Sequence, residues 1–260
     1  MKDRSHDDSM AEVCRKTSEN HWLKTDYRTL FRLCPDGRIE RENDPDCSPG
    51  PRFWLAGCSE GNVFGVRADV PDDIALKLEE LVSVEPPFTP PAVPKHLERY
   101  LSLLGSDGPV THDLGLIYEL PHAQQYPSKA RLIGSGSEEG ESLMQSWAED
   151  RVPEALFELG FREVADFWTP WCAAVVDGEV ASIAFAARLA DAGAELGLVT
   201  AKAFRGQGFA AAATAGWSRL SALRSRTLFY STDRDNISSQ RVAARLGLRL
   251  RGASLRISRA

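Results

Sequence analysis

The stretch Glu195-Leu196-Gly197-Leu198-Val199-Thr200-Ala201-Lys202-Ala203-Phe204-Arg205-Gly206-Gln207-Gly208-Phe209-Ala210 reads as a strand that passes through a tight loop into a helix of small residues. Amides of such a loop and of the first helical turn lack intrahelical acceptors, and the aligned peptide dipoles add about half a positive charge. The product is an anion site suited to a pyrophosphate. Gly206 and Gly208 bring the backbone up to phosphate oxygens with no Cβ in the way. Ala210 to Ala213 let the helix lie close to a sheet. The pattern is neither a Walker loop, which needs a following Lys-Ser or Lys-Thr, nor the dinucleotide G-x-G-x-x-G.

Outward from the loop, the C-terminal side is expected to continue as a helix marked by Phe209, Ala213, Gly216, Trp217, Leu220 and Leu223. A strand over 227–231, a helix over 237–246 and a closing strand over 248–257 follow. On the N-terminal side, 171–176, 180–188 and 194–200 are three β-rich runs, and the Asp177-Gly178 pair between the first two is a hairpin signal. A strand over 130–133 and helices over 142–147 and 153–161 precede them. Further upstream, 53–58 and 62–66 flank Ser59-Glu60-Gly61 as a hairpin. Residues 72–84 and 95–104 carry helical apolar stripes, the second stopped by Gly105, and 114–120 is a strand. The first ten residues are expected to be disordered. Residues 121–127, which begin and end in proline, mark a boundary between an N-terminal region, 1–125, and a C-terminal domain, 128–260.

Downstream, Ser231-Thr232-Asp233-Arg234-Asp235-Asn236-Ile237-Ser238-Ser239-Gln240-Arg241-Val242-Ala243-Ala244-Arg245-Leu246-Gly247-Leu248 forms an asparagine-capped helix ending in Leu-Gly-aliphatic. Together with Arg205, Gly208 and Ala210, which fit Arg/Gln-x-x-Gly-x-Gly/Ala, this segment resembles the GNAT superfamily of acyl-CoA-dependent N-acyltransferases over residues 128–260. The resemblance implies an α+β fold with a mixed, mostly antiparallel central sheet flanked by helices, joined to an N-terminal α+β region. Residues 1–125 then read as a degenerate second half of the same kind or as a lid over the acceptor.

The resemblance further implies that acetyl-CoA is the cosubstrate, with no metal, and that a primary amine of a small molecule attacks the thioester directly in a ternary complex. Leu198, Val199 and Thr200 would contact the pantetheine or polarise the carbonyl. Arg205, Gly206, Gln207, Gly208, Phe209 and Ala210 would hold the pyrophosphate, and Asn236 and Ser239 would face the pantetheine arm. Helix capping is an equal reading of the last two. Glu195 stands where many family members hold a general base acting through water; a strand-end surface glutamate is the alternative. Many members place a thiolate-protonating tyrosine on the helix after the asparagine, where this chain has Ala243. Tyr230, on the preceding strand, is the nearby phenol, and packing alone also explains it.

Composition narrows the partners. With 31 Lys and Arg against 37 Asp and Glu, the chain carries a net charge of −6, which disfavours a nucleic-acid binder living on phosphate contacts. The five cysteines form no C-x-x-C pair, so neither a disulfide framework nor a zinc site is suggested, and reduced thiols in the cytoplasm are expected. The N-terminus has no apolar signal core, and no run reaches the roughly 18 apolar residues of a membrane span. The oligomeric state is open between monomer and homodimer. Gly134 to Gly140 reads as a flexible loop rather than a nucleotide site, because Glu138 and Glu139 repel phosphate. Cys172 reads as a buried strand cysteine, and His96, His112 and His122 show no ligand spacing. Two readings compete with small-molecule acetylation: an acyl-CoA-binding sensor without turnover, and a protein or peptide N-acyltransferase.

Overall fold

The structure, a computed structural model, describes residues 18–260; the expectation of disorder over the first ten residues falls outside that range. The chain opens with α1 (Glu19–Leu30), where the Ser18 side chain caps the first turn by accepting from the His21 amide. A ribbon of β1 (Phe31–Leu33) and β2 (Ile39–Glu42) follows, then β3 (Phe53–Cys58) and β4 (Gly61–Val66), the expected hairpin. Next come α2 (Asp72–Ser83), α3 (Leu97–Leu104), β5 (Val110–Glu119), β6 (Arg131–Gly134) and α4 (Glu138–Asp150). The rest of the chain forms β7 (Trp171–Val176), β8 (Glu179–Leu189), β9 (Gly193–Thr200), α5 (Phe209–Trp217), β10 (Thr227–Asp233), α6 (Ile237–Arg245) and β11 (Arg249–Arg259).

Nine strands join in the order β4-β3-β11-β5-β10-β9-β8-β7-β6. Among the described residues only β9 and β10 pair as parallel strands, so the sheet is mixed and mostly antiparallel, as expected. Elements from both sides of residues 121–127 share it: β5 lies between β11 and β10, and β11 lies between β3 and β5.

Strand alternation sends successive side chains to opposite faces. Leu196, Leu228 and Tyr230 pack with the alanines of α5, whereas Phe229 and Ile117 pack with Trp22 and Leu23 of α1. The helix α5 is buried at every residue but the half-buried Ala210, which its composition permits. A Cβ added at Gly216 would stand 2.5 Å from the Cys172 sulfur, so small residues are what let this helix lie on the strands. Trp217 anchors its end, fully buried with Nε1 donating to the Pro170 carbonyl at 2.8 Å.

Three helices differ from expectation. The helix after the loop stops at Trp217, short of Leu220 and Leu223, because the Ser218 hydroxyl turns back to the Ala215 carbonyl and accepts the Gln124 amide. The helix expected over 153–161 is a 3-10 stretch, Glu154–Leu159, ended by left-handed Gly160. Conversely, α4 begins before the expected residue 142. Ser137 caps the Gly140 amide, and Glu138 and Glu139 fill the first turn, where negative charge suits the helix dipole. Part of the glycine-rich 134–140 segment is therefore helical.

Candidate functional site

The parallel pair β9 and β10 is joined over only three positions, the last being Phe229 opposite Glu195. Beyond that rung β9 pairs with β8 alone, and β10 with β5 alone. The two strands fork, and the β10-facing backbone edge of β9 from Leu196 to Thr200 has no strand partner. A cavity of about 640 Å³ occupies this end of the sheet.

The lining of that cavity brings together most of the residues expected from sequence: Leu198, Val199, Thr200, Arg205, Gly206, Gly208, Phe209, Ala210, Asn236 and Ser239. Gly206 and Gly208 have φ of 79° and 90°, the left-handed region that glycine enters without strain. Gly208 is the N-cap of α5, and its missing side chain leaves room for the Tyr126 hydroxyl, 2.7 Å from where a Cβ would sit. Among the described residues the backbone amides from Gly206 to Ala211 donate to no backbone acceptor. Such an array of free donors at a helix start is a fit for a phosphate group. Gln207 lies outside the lining and braces the loop, its side chain donating to the Ala203 carbonyl at 3.0 Å.

Asn236 caps α6, its side chain accepting from the Ser239 amide at 3.0 Å, and both residues also line the cavity. The capping and cavity-facing readings therefore coexist. Arg241 and Arg245, one turn apart on α6, complete the basic rim, with Arg245 reaching the Gly206 carbonyl at 3.3 Å. The motif match does not single these arginines out; their i, i+4 spacing on the helix after the asparagine is the available signal.

Tyr230 is buried and lies outside the lining, but its hydroxyl is 2.7 Å from the Ser239 hydroxyl, which does line it. Burial pushes the phenol up to about 12, so it stays protonated at neutral pH.

Glu195 also lies outside the lining, at the neck of the fork and on the α1 face. Its buried carboxylate receives Arg188 Nη1 at 2.9 Å, and the same guanidinium binds Glu42 at 2.9 Å. Arg256 closes the chain on the other Glu42 oxygen. Burial works against the charge on Arg188, but Glu195 and Glu42 outweigh it and raise its pKa. Beside this chain lies Asp26 of α1, fully buried, with neither carboxyl oxygen hydrogen-bonded among the described residues. Burial first, and the charge of Glu195 second, push its pKa well above the ordinary carboxylate range.

Among the described residues no group of three or more His, Cys, Asp or Glu is placed to hold a metal ion, and no helix is long and apolar enough to cross a membrane. Cys172 is a buried thiol, pushed up to about 12 by burial.

The model of the acetyltransferase (GNAT) domain matches residues 113–249. No curated protein matches the sequence. Similar solved structures include a GCN5-related N-acetyltransferase-like protein from Streptococcus suis, at 16% identity over 80% of this chain and 84% of that one, with a TM-score of 0.44. An acetyltransferase of the GNAT family from Colwellia psychrerythraea is 17% identical over 76% of each chain, with a TM-score of 0.41. A GNAT-family protein of Novosphingobium aromaticivorans is 19% identical, and the match spans 58% of this chain and 66% of that one, with a TM-score of 0.37.

Proposed function

Because this chain belongs to the GNAT acetyltransferase family, we propose that it transfers the acetyl group of acetyl-CoA to a primary amine of a small molecule, by direct attack in a ternary complex. The observation that carries the reading is the fork between β9 and β10, which opens onto Gly206, Gly208, Phe209 and Ala210 with their free amides on one side and onto Asn236 and Ser239 on the other. In this reading the amides take the pyrophosphate, and Arg205, Arg241 and Arg245 neutralise its charge. The unpaired edge of β9 at Leu198 to Thr200 binds the pantetheine amides as a further strand would.

Amine attack needs a proton acceptor, donors for the tetrahedral oxyanion and a proton for the leaving thiolate. Glu195 serves as the base through intervening water, since its carboxylate is behind the cavity wall and tied to Arg188. Tyr230 serves as the acid through Ser239: the phenol is protonated at neutral pH, and as the serine hydroxyl gives its proton to the leaving thiolate it takes the phenol's, which leaves Tyr230 as the phenolate. The α6 position that holds a tyrosine in many relatives is Ala243 here, so the proton comes from the strand instead.

A second reading, acyl-CoA binding without turnover, is favoured by the Arg188 pairing, which ties a Glu195 carboxylate oxygen away from the cavity. Thiol release from acetyl-CoA across a panel of small amines separates the two. Turnover that falls at least 100-fold in Glu195→Gln, with CoA affinity unchanged, supports catalysis; silence with every amine despite CoA binding sinks it. Acetylation of basic peptides and not of small amines would move the acceptor to a polypeptide.

A further inference from the structure

At the opposite end of β10 from the fork, a second cavity of about 940 Å³ opens between α1, the start of β10 and the neighbouring ends of β5 and β11. Arg224, Arg226, Arg249 and Arg251 line it together with His122 and Trp22. Carboxylates on the same wall answer part of this charge. Glu19 stands 3.3 Å from Arg249 and 3.7 Å from Arg251, and Glu119 stands 3.6 Å from Arg251. Glu60 accepts from the Asn20 amide at 3.2 Å. Among the described residues, Arg224 and Arg226 have no carboxylate within ion-pair distance.

Arg226 is nonetheless held in place. Its Nε donates to the Ala190 carbonyl at 2.7 Å and its Nη1 to the Ala222 carbonyl at 2.5 Å, and Nη2 has no hydrogen-bond partner among the described residues. His122 Nε2 donates to the Arg226 carbonyl at 2.8 Å, which fixes the ring beside it. Arg251 sits over the Trp22 ring, 5.6 Å from its centroid. A guanidinium already immobilised loses little rotamer freedom when it takes an oxyanion, and its planar fork matches carboxylate and phosphate oxygens. A cavity this size accommodates a metabolite.

We infer that this cavity is a second ligand site, which binds a small oxyanion, a phosphate or carboxylate compound, through Arg224 and Arg226, apart from the fork. Calorimetric titration of the full chain with inorganic pyrophosphate and, separately, with citrate tests it and tells the two anion sources apart. Pyrophosphate also suits the fork, so two variants are compared: Arg224→Gln with Arg226→Gln here, and Arg241→Gln with Arg245→Gln there. The expected result is saturable binding of at least one probe that survives the Arg241/Arg245 substitutions and weakens at least tenfold with the Arg224/Arg226 ones. Binding that vanishes with the Arg241/Arg245 pair and ignores the Arg224/Arg226 pair overturns the site, as does no saturable binding of either probe. Arg224 is exposed, so Arg224→Gln alone, expected to weaken binding about threefold, keeps the test decisive if loss of the Arg226 contacts unfolds the double variant.

Discussion

The two faces of the sheet at the β9–β10 junction solve opposite problems. On the α5 face the contacts are alanine against strand, and the polar groups offered to the cavity are backbone amides, hydroxyls, the Asn236 amide and the guanidinium groups of Arg205, Arg241 and Arg245. On the α1 face, one residue away in the alternation, Glu195, Glu42, Arg188 and Arg256 are packed into a chain of ion pairs with Asp26 beside it. The first face leaves backbone donors unpaired among the described residues. The second spends nearly all of its charge internally, and Asp26 is what is left over. Free donors at a helix start are solvated until a ligand arrives, whereas buried charges must be answered at once because desolvation is costly.

That contrast breaks most visibly at Glu42, which answers both arginines. Glu42→Ala leaves Arg188 and Arg256 without it in a buried setting and is expected to cost about 3–5 kcal/mol, read as a lowered midpoint in urea unfolding. On the other face the largest expected effect is on binding rather than stability. Gly208→Val forces a branched residue to a φ of 90° and pushes on the Tyr126 hydroxyl, and CoA affinity by calorimetry should fall about 100-fold, close to 2.7 kcal/mol. A variant that melts like the parent and still binds CoA normally would remove the loop from the site.

Asp26 sharpens the comparison through pH. A raised pKa means the folded chain keeps a proton that the unfolded chain gives up above the ordinary value of 3.8. Its contribution is therefore fully present below that value and is lost as pH climbs toward the folded one. Asp26→Asn, which cannot ionise, should match the parent near pH 4 and, toward pH 7, exceed it by a margin that widens by about 1.4 kcal/mol per pH unit for as long as the folded chain keeps the Asp26 proton, in paired denaturation curves. An unchanged gap across that range would mean Asp26 is charged and answered by Arg188 or Arg256. The smallest expected effect is at Asn236, whose cap is worth about 1 kcal/mol. Asn236→Ala should lower stability by that amount, whereas Asn236→Ser should restore it.

Local signals made the elements readable. The hairpin at 53–66, the helix from Asp72 and the strand–loop–helix around Arg205 follow from alternation, turn residues and capping, all properties of neighbours in sequence. Where a helix stopped was less readable. The early end of α5 depends on Ser218 meeting Gln124, nearly a hundred residues away, which no local pattern reports.

By itself the sequence determined the shape of the loop from Arg205 to Ala210, because Gly206 and Gly208 specify a backbone conformation and amides at a helix start need no distant partner. It likewise determined the Asn236 cap and the alternation of strands and helices. Only tertiary structure decided that β5 and β11 enter the middle of the sheet, that β9 and β10 part after Glu195, and that Glu195 faces Arg188 rather than the cavity. Those outcomes rest on strand order and on contacts such as Glu42 with Arg188, 146 residues apart. Charge burial is a property of what packs around a residue, so the loop was legible and the chemistry behind it was not.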